Sequence, residues 1–374
     1  MKKIYLDNAA TTAIRPQVIE EMTRVMTEQY GNPSSTHSFG RTAKNTMELA
    51  RKSIAQNLNC SAQEIIFTSG GTEANNWILR SAIRDLKVER IITSKIEHHA
   101  VLHTVEALQN EFGIQVDFVE ILPNGKVNLN DLVELLSQQK KALVSLMHVN
   151  NEIGTVLNLK RVGQICKENN AYFHSDTVQS VGKTEINLQE LPIDFMIASA
   201  HKFHGPKGIG FAFVRKNIVL KPLIFGGEQE KGLRAGTEGV HQIAGMAKAL
   251  SLAYENLEAE RNHITNLRNY LVNKLEIEFP DFQINGESDG FYNILNILLP
   301  FPEEKTAMIL FGLDMKGIAV SRGSACQSGS IKPSHVLAEI LDLEDSKKPS
   351  LRISFSHYNT KEEIDYLISC LKEI

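Results

Sequence analysis

From residue 64 onward, short apolar runs alternate with amphipathic stretches, and nothing else in the 374-residue sequence constrains the fold as strongly. Ile65-Ile66-Phe67, Ile91-Ile92-Thr93, Val116 to Val119, Ala142 to Met147, Tyr172 to His174 and Phe195 to Ala198 have the length and composition of buried strands. Ile209 to Val214 reads as another. Helical periodicity fills several gaps between them, as in the stretch from about His98 to Phe112. Such alternation implies an α/β protein with a mostly parallel sheet in three layers.

The flanks read differently. Pro16 suits the first turn of a helix whose stripe is Val18, Met22, Val25 and Met26. Ala43, Met47, Ala50, Ile54 and Leu58 line a second helix. Beyond the central region, residues 240–278 are helical by period. Ile294 to Leu299, Ile318 to Val320 and Leu351 to Ser354 then read as strands between helices, and Thr360-Lys361-Glu362-Glu363 is a capping box that opens the last helix. A chain this long exceeds one small core. The expected division is a large domain over 14–258 and a smaller α/β domain formed by 1–13 together with 259–374.

Net charge is −4, without bunching of basic residues, which argues against a nucleic-acid surface. Cys60, Cys166, Cys326 and Cys370 show no CxxC spacing, so neither a disulfide framework nor a zinc signature is expected. A reducing compartment follows. The N-terminus lacks an apolar signal core and no run is long enough to cross a bilayer, so a cytoplasmic protein with no membrane partner is expected.

Several strand ends carry chemistry. Ser199-Ala200-His201-Lys202-Phe203-His204-Gly205-Pro206 puts Lys202 where a strand yields to a turn, a place for a fixed amine that forms a Schiff base. A surface lysine beside a turn is the competing reading. Ser69-Gly70-Gly71-Thr72 joins a strand to a helix, as a phosphate cradle does, but lacks the Walker and GxGxxG spacings. A tight turn with Thr72 as helix cap would look the same. Asp176 follows a buried strand and suits either a pyridine-nitrogen partner or a helix cap.

His98 could stack on a flat ring or shuttle protons. His99 and His103 have metal-ligand spacing, but no carboxylate accompanies them in a HExxH arrangement, and no metal is expected. Asn150-Asn151 offers amides or simply a turn. Cys326 lies among Gly and Ser, with Arg322 nearby to favour its thiolate. Arg352, inside a strand, fits a substrate carboxylate or a structural ion pair.

In order along the chain, these segments resemble the NifS/IscS-type cysteine desulfurases, class V aminotransferases that use pyridoxal 5'-phosphate in the type I fold of such enzymes. The resemblance runs through Tyr5-Leu6-Asp7-Asn8-Ala9-Ala10-Thr11-Thr12, Gly31-Asn32-Pro33-Ser34-Ser35, Phe67 to Glu73, Met147 to Gly154, the lysine segment, Arg234-Ala235-Gly236-Thr237-Glu238, Gly323-Ser324-Ala325-Cys326 and Pro333-Ser334-His335-Val336-Leu337. It implies that Lys202 carries the cofactor and that Asp176 pairs with its ring nitrogen. Gln179 and Asn151 would lie at the ring hydroxyl, and His98 would stack on the ring and move protons.

By the same resemblance Gly71, Thr72, Ser199 and His201 hold the phosphate. Thr237 reaches the phosphate of a partner subunit, which implies a homodimer. Asn8, Asn151 and Arg352 orient L-cysteine, with Arg352 on its carboxylate. Cys326 takes the sulfur as a persulfide, releases alanine and passes the sulfur to a protein acceptor, either an iron–sulfur scaffold or a thiolation enzyme. Cys326 could also serve as a transient iron–sulfur ligand.

The loop between Cys326 and Pro333 has the length of the NifS/IscS subgroup, while Arg322 stands where a serine is common. The chain ends at Ile374 without the extension that some relatives use to dock an iron–sulfur scaffold. Other lyases or aminotransferases with the same cofactor, selenocysteine lyase included, are the alternative, and the need for Cys326 separates them. A non-catalytic protein on the same fold predicts no turnover.

Overall fold

The computed structural model describes residues 3–138, 140–306, 308–322 and 334–373. Strand β1 (Ile4–Tyr5) leads into helices α1 (Pro16–Glu28) and α2 (Ser38–Asn57). The alternating region follows as β2 (Ile65–Thr68), α3 (Gly71–Arg84), β3 (Arg90–Thr93), α4 (His99–Phe112), β4 (Gln115–Phe118), α5 (Leu129–Leu136), β5 (Ala142–Ser145), α6 (Leu159–Glu168), β6 (Tyr172–Asp176), β7 (Phe195–Ser199) and β8 (Gly210–Val214). Two long helices, α7 (Val240–Glu255) and α8 (Leu257–Glu278), come next. The last part contains β9 (Gln283–Ile284), β10 (Ile294–Leu298), α9 (Ile309–Met315), β11 (Ile318–Ala319), α10 (His335–Ile340), β12 (Ser350–Ser354) and α11 (Lys361–Lys372).

Seven strands form one sheet in the order β2-β8-β7-β6-β5-β3-β4. All pairs are parallel except those made by β8, which runs against both β2 and β7. Side chains pack on both faces. Phe67, Val144, Phe173, Met196 and Phe211 meet α2, α6 and α7 on one side, and Ile66, Ile91, Leu143 and Ile197 meet α3 and α4 on the other. Burial on both faces explains why the strands read as unbroken apolar runs rather than alternating ones.

A separate core gathers Ile4 and Leu6 from the N-terminus with residues of α8, β10, β12 and α11. β1 pairs in parallel with β11, so the first residues of the chain join its last part. The segment after β1 then crosses to the large sheet. In α11, Glu363 accepts the Thr360 N–H at 3.3 Å, half of the capping box expected from the sequence.

One interior ion pair fastens a surface segment to the large sheet. Arg51 of α2 grips Glu230 at 2.7 and 2.8 Å, both side chains being almost fully buried. The same carboxylate accepts the Phe67 N–H at 2.8 Å. Glu230 and Lys231 both adopt positive φ, 45° and 61°. Left-handed backbone costs a non-glycine residue about 1 kcal/mol. The pair from Arg51 is what holds the segment there. Among the described residues no helix is long and apolar enough to cross a membrane.

Candidate active site

A cavity of about 510 Å³ lies at the carboxyl ends of β5, β6 and β7, the usual crevice of an open parallel sheet. Lys202 sits in it on a short 3-10 turn, Ala200–Lys202, directly after β7. Its Nζ donates to Ala9 O at 2.6 Å and Ala10 O at 2.9 Å. The N-terminal segment is strapped to the same turn. Thr12 Oγ1 donates to His201 O at 2.9 Å and accepts the His204 N–H at 2.8 Å. The amine is therefore not a free surface lysine, and two backbone carbonyls aim it.

Asp176 is the last residue of β6 and is buried. One carboxylate oxygen accepts from Asn75 Nδ2 at 2.9 Å and the other from Val178 N at 3.0 Å. Turns rather than a helix follow, so Asp176 caps no helix. Asn75, on α3, is a partner that the sequence reading missed. A signal existed: it is an amide among the mostly apolar residues of the inner face of α3, where Ser81 is the other buried polar residue.

The glycine turn opens α3. Gly70 is its cap residue, with φ +152° and no side chain closing the helix end. Thr72 is thus inside the first turn and is not the cap. Gly71 and Thr72 line the cavity together with Ser199 and His201. Free N–H groups at a helix start and nearby hydroxyls make a cradle for an anion. His201 Nδ1 is 3.1 Å from Thr11 Oγ1. Burial, with Lys202 adding to it, pushes the His201 pKa down to about 4, so its ring is neutral at neutral pH. Gly210, at the start of β8, lies under the turn. A Cβ there would stand 2.3 Å from Ala198 O and 2.8 Å from Gly70 Cα.

His98 lines the cavity and caps α4, its Nδ1 accepting the Ala100 N–H at 3.1 Å. Burial holds its pKa below the usual histidine value. A neutral ring with Nδ1 accepting carries its proton on Nε2. Next to it Glu97 is buried, with Oε1 accepting the Met147 N–H at 2.7 Å. Burial raises its carboxyl to about 8.

Arg352 reaches the cavity from β12. It donates to Asp7 Oδ1 at 2.7 Å and to Asn151 O at 2.9 Å, while its Nε has no partner among the described residues. The ion-pair reading of this arginine is therefore realised here by Asp7, with the guanidinium still at the cavity wall. Asn151 and Gln179 line the cavity as well. Gln179 Nε2 donates to Ala9 O at 2.8 Å.

Two of the described residues expected at a site, Asn8 and Thr237, do not line this cavity. The Asn8 amide donates to Ser354 O at 2.9 Å, tying the N-terminal segment to β12. Thr237 is exposed and does not line the cavity. Cys326 falls outside the described residues. His99 and His103 stack with ring centroids 4.8 Å apart, and His335 lies 4.5 Å from His99. Among the described residues no group of three or more His, Cys, Asp or Glu could hold a metal ion.

Comparison with known proteins adds the lineage. The family described as Aminotransferase class-V matches residues 4–367. The protein named Cysteine desulfurase IscS of Clostridium botulinum strain Kyoto is 42% identical over 376 residues, covering 100% of this chain and 94% of its own length. The Putative cysteine desulfurase IscS 1 of Bacillus subtilis is 41% identical over 97% of this chain and 96% of its own. A solved structure called NIFS-LIKE PROTEIN superposes with TM-score 0.92 at 37% identity, over 100% of this chain and 99% of that one. Another, called SspA in complex with cysteine, does so with TM-score 0.82 at 31% identity, over 96% and 100%.

Proposed function

The chain belongs to the aminotransferase class-V family, and from that membership we infer that it is a cysteine desulfurase of the NifS/IscS type. Its substrate is L-cysteine, its product L-alanine, and the sulfur leaves on a protein thiol. The relative solved with cysteine supports that substrate. We take pyridoxal 5'-phosphate as the cofactor. What supports it is one juxtaposition: an aimed amine at Lys202, a buried carboxylate at Asp176 and an uncapped helix start at Gly71 share one cavity.

These residues fit the group by charge and by space. The α3 N-terminus with Thr72, Ser199 and His201 would hold a phosphate, and Gly70 lets the backbone approach it. Asp176 would hold a proton on the ring nitrogen, its two oxygens kept in place by Asn75 and Val178. When bound, pyridoxal phosphate supplies a sink for the electrons left as the substrate Cα loses its proton.

The chain's own groups divide the remaining work. Lys202 Nζ would be the attachment point and would take up the proton that leaves the substrate Cα. His98 would cover the ring face and offer the Nε2 proton. Arg352 would take the substrate carboxylate on its unpaired Nε edge, and Asn151 and Gln179 would bound the ring hydroxyl side. Cys326 would receive the sulfur as a persulfide and hand it to a protein acceptor. In a homodimer Thr237 would serve the neighbouring subunit's phosphate.

The decisive experiment replaces Cys326 by Ala. Sulfide release from L-cysteine under reductant is expected to vanish while the cofactor's near-visible band persists. Full sulfide release by the variant would remove the desulfurase reading and favour a simple lyase.

A further inference from the structure

Behind Lys202 lies a second buried amine. Lys183 is 8% exposed, and its Nζ donates to Gln179 Oε1 at 3.2 Å. The other end of that amide, Gln179 Nε2, donates to Ala9 O, the same carbonyl that receives Lys202 Nζ. A continuous polar chain therefore runs Lys183 – Gln179 – Ala9 O – Lys202. With a cation on one side and a carbonyl on the other, the Gln179 amide has only one satisfactory orientation.

No carboxylate neutralises Lys183 among the described residues. The small void beside it carries one carboxylate, Glu260, and Arg15 holds that at 2.7 Å. The other titratable groups around it are Lys202, His201, His204 and Tyr292. Tyr292 spends its hydroxyl on Lys183 O at 3.0 Å, and His204 Nδ1 sits 2.8 Å from Ala13 O. Burial, with Lys202 adding to it, brings the Lys183 pKa down to about 7. An amine buried at this expense without an ion-pair partner does not serve stability.

We propose that Lys183 is a positioning residue for the reaction: its ammonium fixes the Gln179 amide and places a positive charge behind Lys202, which sets how readily the Lys202 nitrogen gives up its proton. This rests on the reading that Lys202 carries the cofactor. Two amines joined through one amide lower each other's hold on protons, and a lowered hold readies the Lys202 nitrogen to act as a base near neutrality.

The test uses holoprotein and reads light absorption rather than turnover. The cofactor band is titrated with pH in native protein, Lys183→Met and Lys183→Arg, with melting temperature measured alongside. Removing the charge is expected to raise the titration midpoint of Lys183→Met by about one pH unit. Lys183→Arg keeps the charge throughout the titration and is expected to leave the midpoint at or below the native one. An unmoved midpoint in Lys183→Met overturns the proposal. So does loss of the cofactor from both variants, which would make Lys183 a structural residue. Absence of any borohydride-sensitive band in the native protein would instead sink the reading of Lys202 itself.

Discussion

Arg352 and Asp7 form a 2.7 Å ion pair that joins β12 to the N-terminal segment strapped to the lysine turn. The same guanidinium donates to Asn151 O, so the chain has aimed it before any substrate arrives. Only a planar fork can keep both contacts and still present a free edge to a carboxylate. Arg352→Lys is therefore expected to raise KM for L-cysteine by about tenfold, and Arg352→Ala by about a hundredfold or more, with smaller changes in kcat. Asp7→Asn should raise KM only a few-fold. Steady-state alanine formation against cysteine concentration checks all three.

Asn75 touches Asp176 from behind, as an outer partner that orients a binding group. Removing such a partner typically weakens binding by roughly tenfold. Asn75→Ala is expected to weaken pyridoxal phosphate binding by about that factor while the fold stays intact. Asp176→Ala should lose considerably more. Titrating the cofactor-free variants with pyridoxal phosphate and following the near-visible band measures both.

Glu97 carries a pH-dependent share of stability. Burial raises its folded pKa from 4.5 to about 8. A carboxyl raised on folding contributes stability that is complete below the unfolded value. That contribution is lost as the pH climbs toward the folded value. Glu97→Gln keeps an acceptor for the Met147 N–H and removes the titration. The variant should gain on native protein by about 3–5 kcal/mol between pH 5 and pH 8, an order-of-magnitude figure from the linkage relation. Urea unfolding at the two pH values reads the difference. Equal native-to-variant gaps at both would refute it.

The Arg51–Glu230 pair and the strained residue after it make opposite predictions. Arg51→Met strands a buried carboxylate and should cost about 3–5 kcal/mol. Lys231→Gly relieves a left-handed backbone and is expected to add about 0.5–1 kcal/mol. Thermal melts of the two variants should move in opposite directions from native.

Much of the framework was readable from the residues. Strands buried on both faces announce themselves as apolar runs, and Ile65 to Phe67, Ile91 to Thr93 and Phe195 to Ala198 all fall in the large sheet. Strand direction was not readable. Residues 209–214 are as apolar as their neighbours, and nothing in their spacing says that β8 runs backward.

Within the site, residues at strand ends stood out because turns and chemistry coincide there. Their partners did not. Asn75 lies on a helix and Asp7 in the N-terminal segment, 345 positions from the arginine it meets. Lys183 looks like any surface lysine until the fold closes over it. Such partners come from distant stretches of chain, and only the folded chain brings them together. Asn8 shows the converse: it stands in a telling segment, yet its amide serves the backbone of β12.

The reversal of β8 ties both loops of the cavity to a single position. Because the strand runs backward, its first residue arrives beneath the mouth, wedged between the end of β7, which leads into the amine's turn, and the turn that would receive an anion. Even a methyl group at position 210 would have to force the two apart. The gauge of the opening, and hence the size of molecule that can bridge it, is set by a residue that contributes no reactive atom.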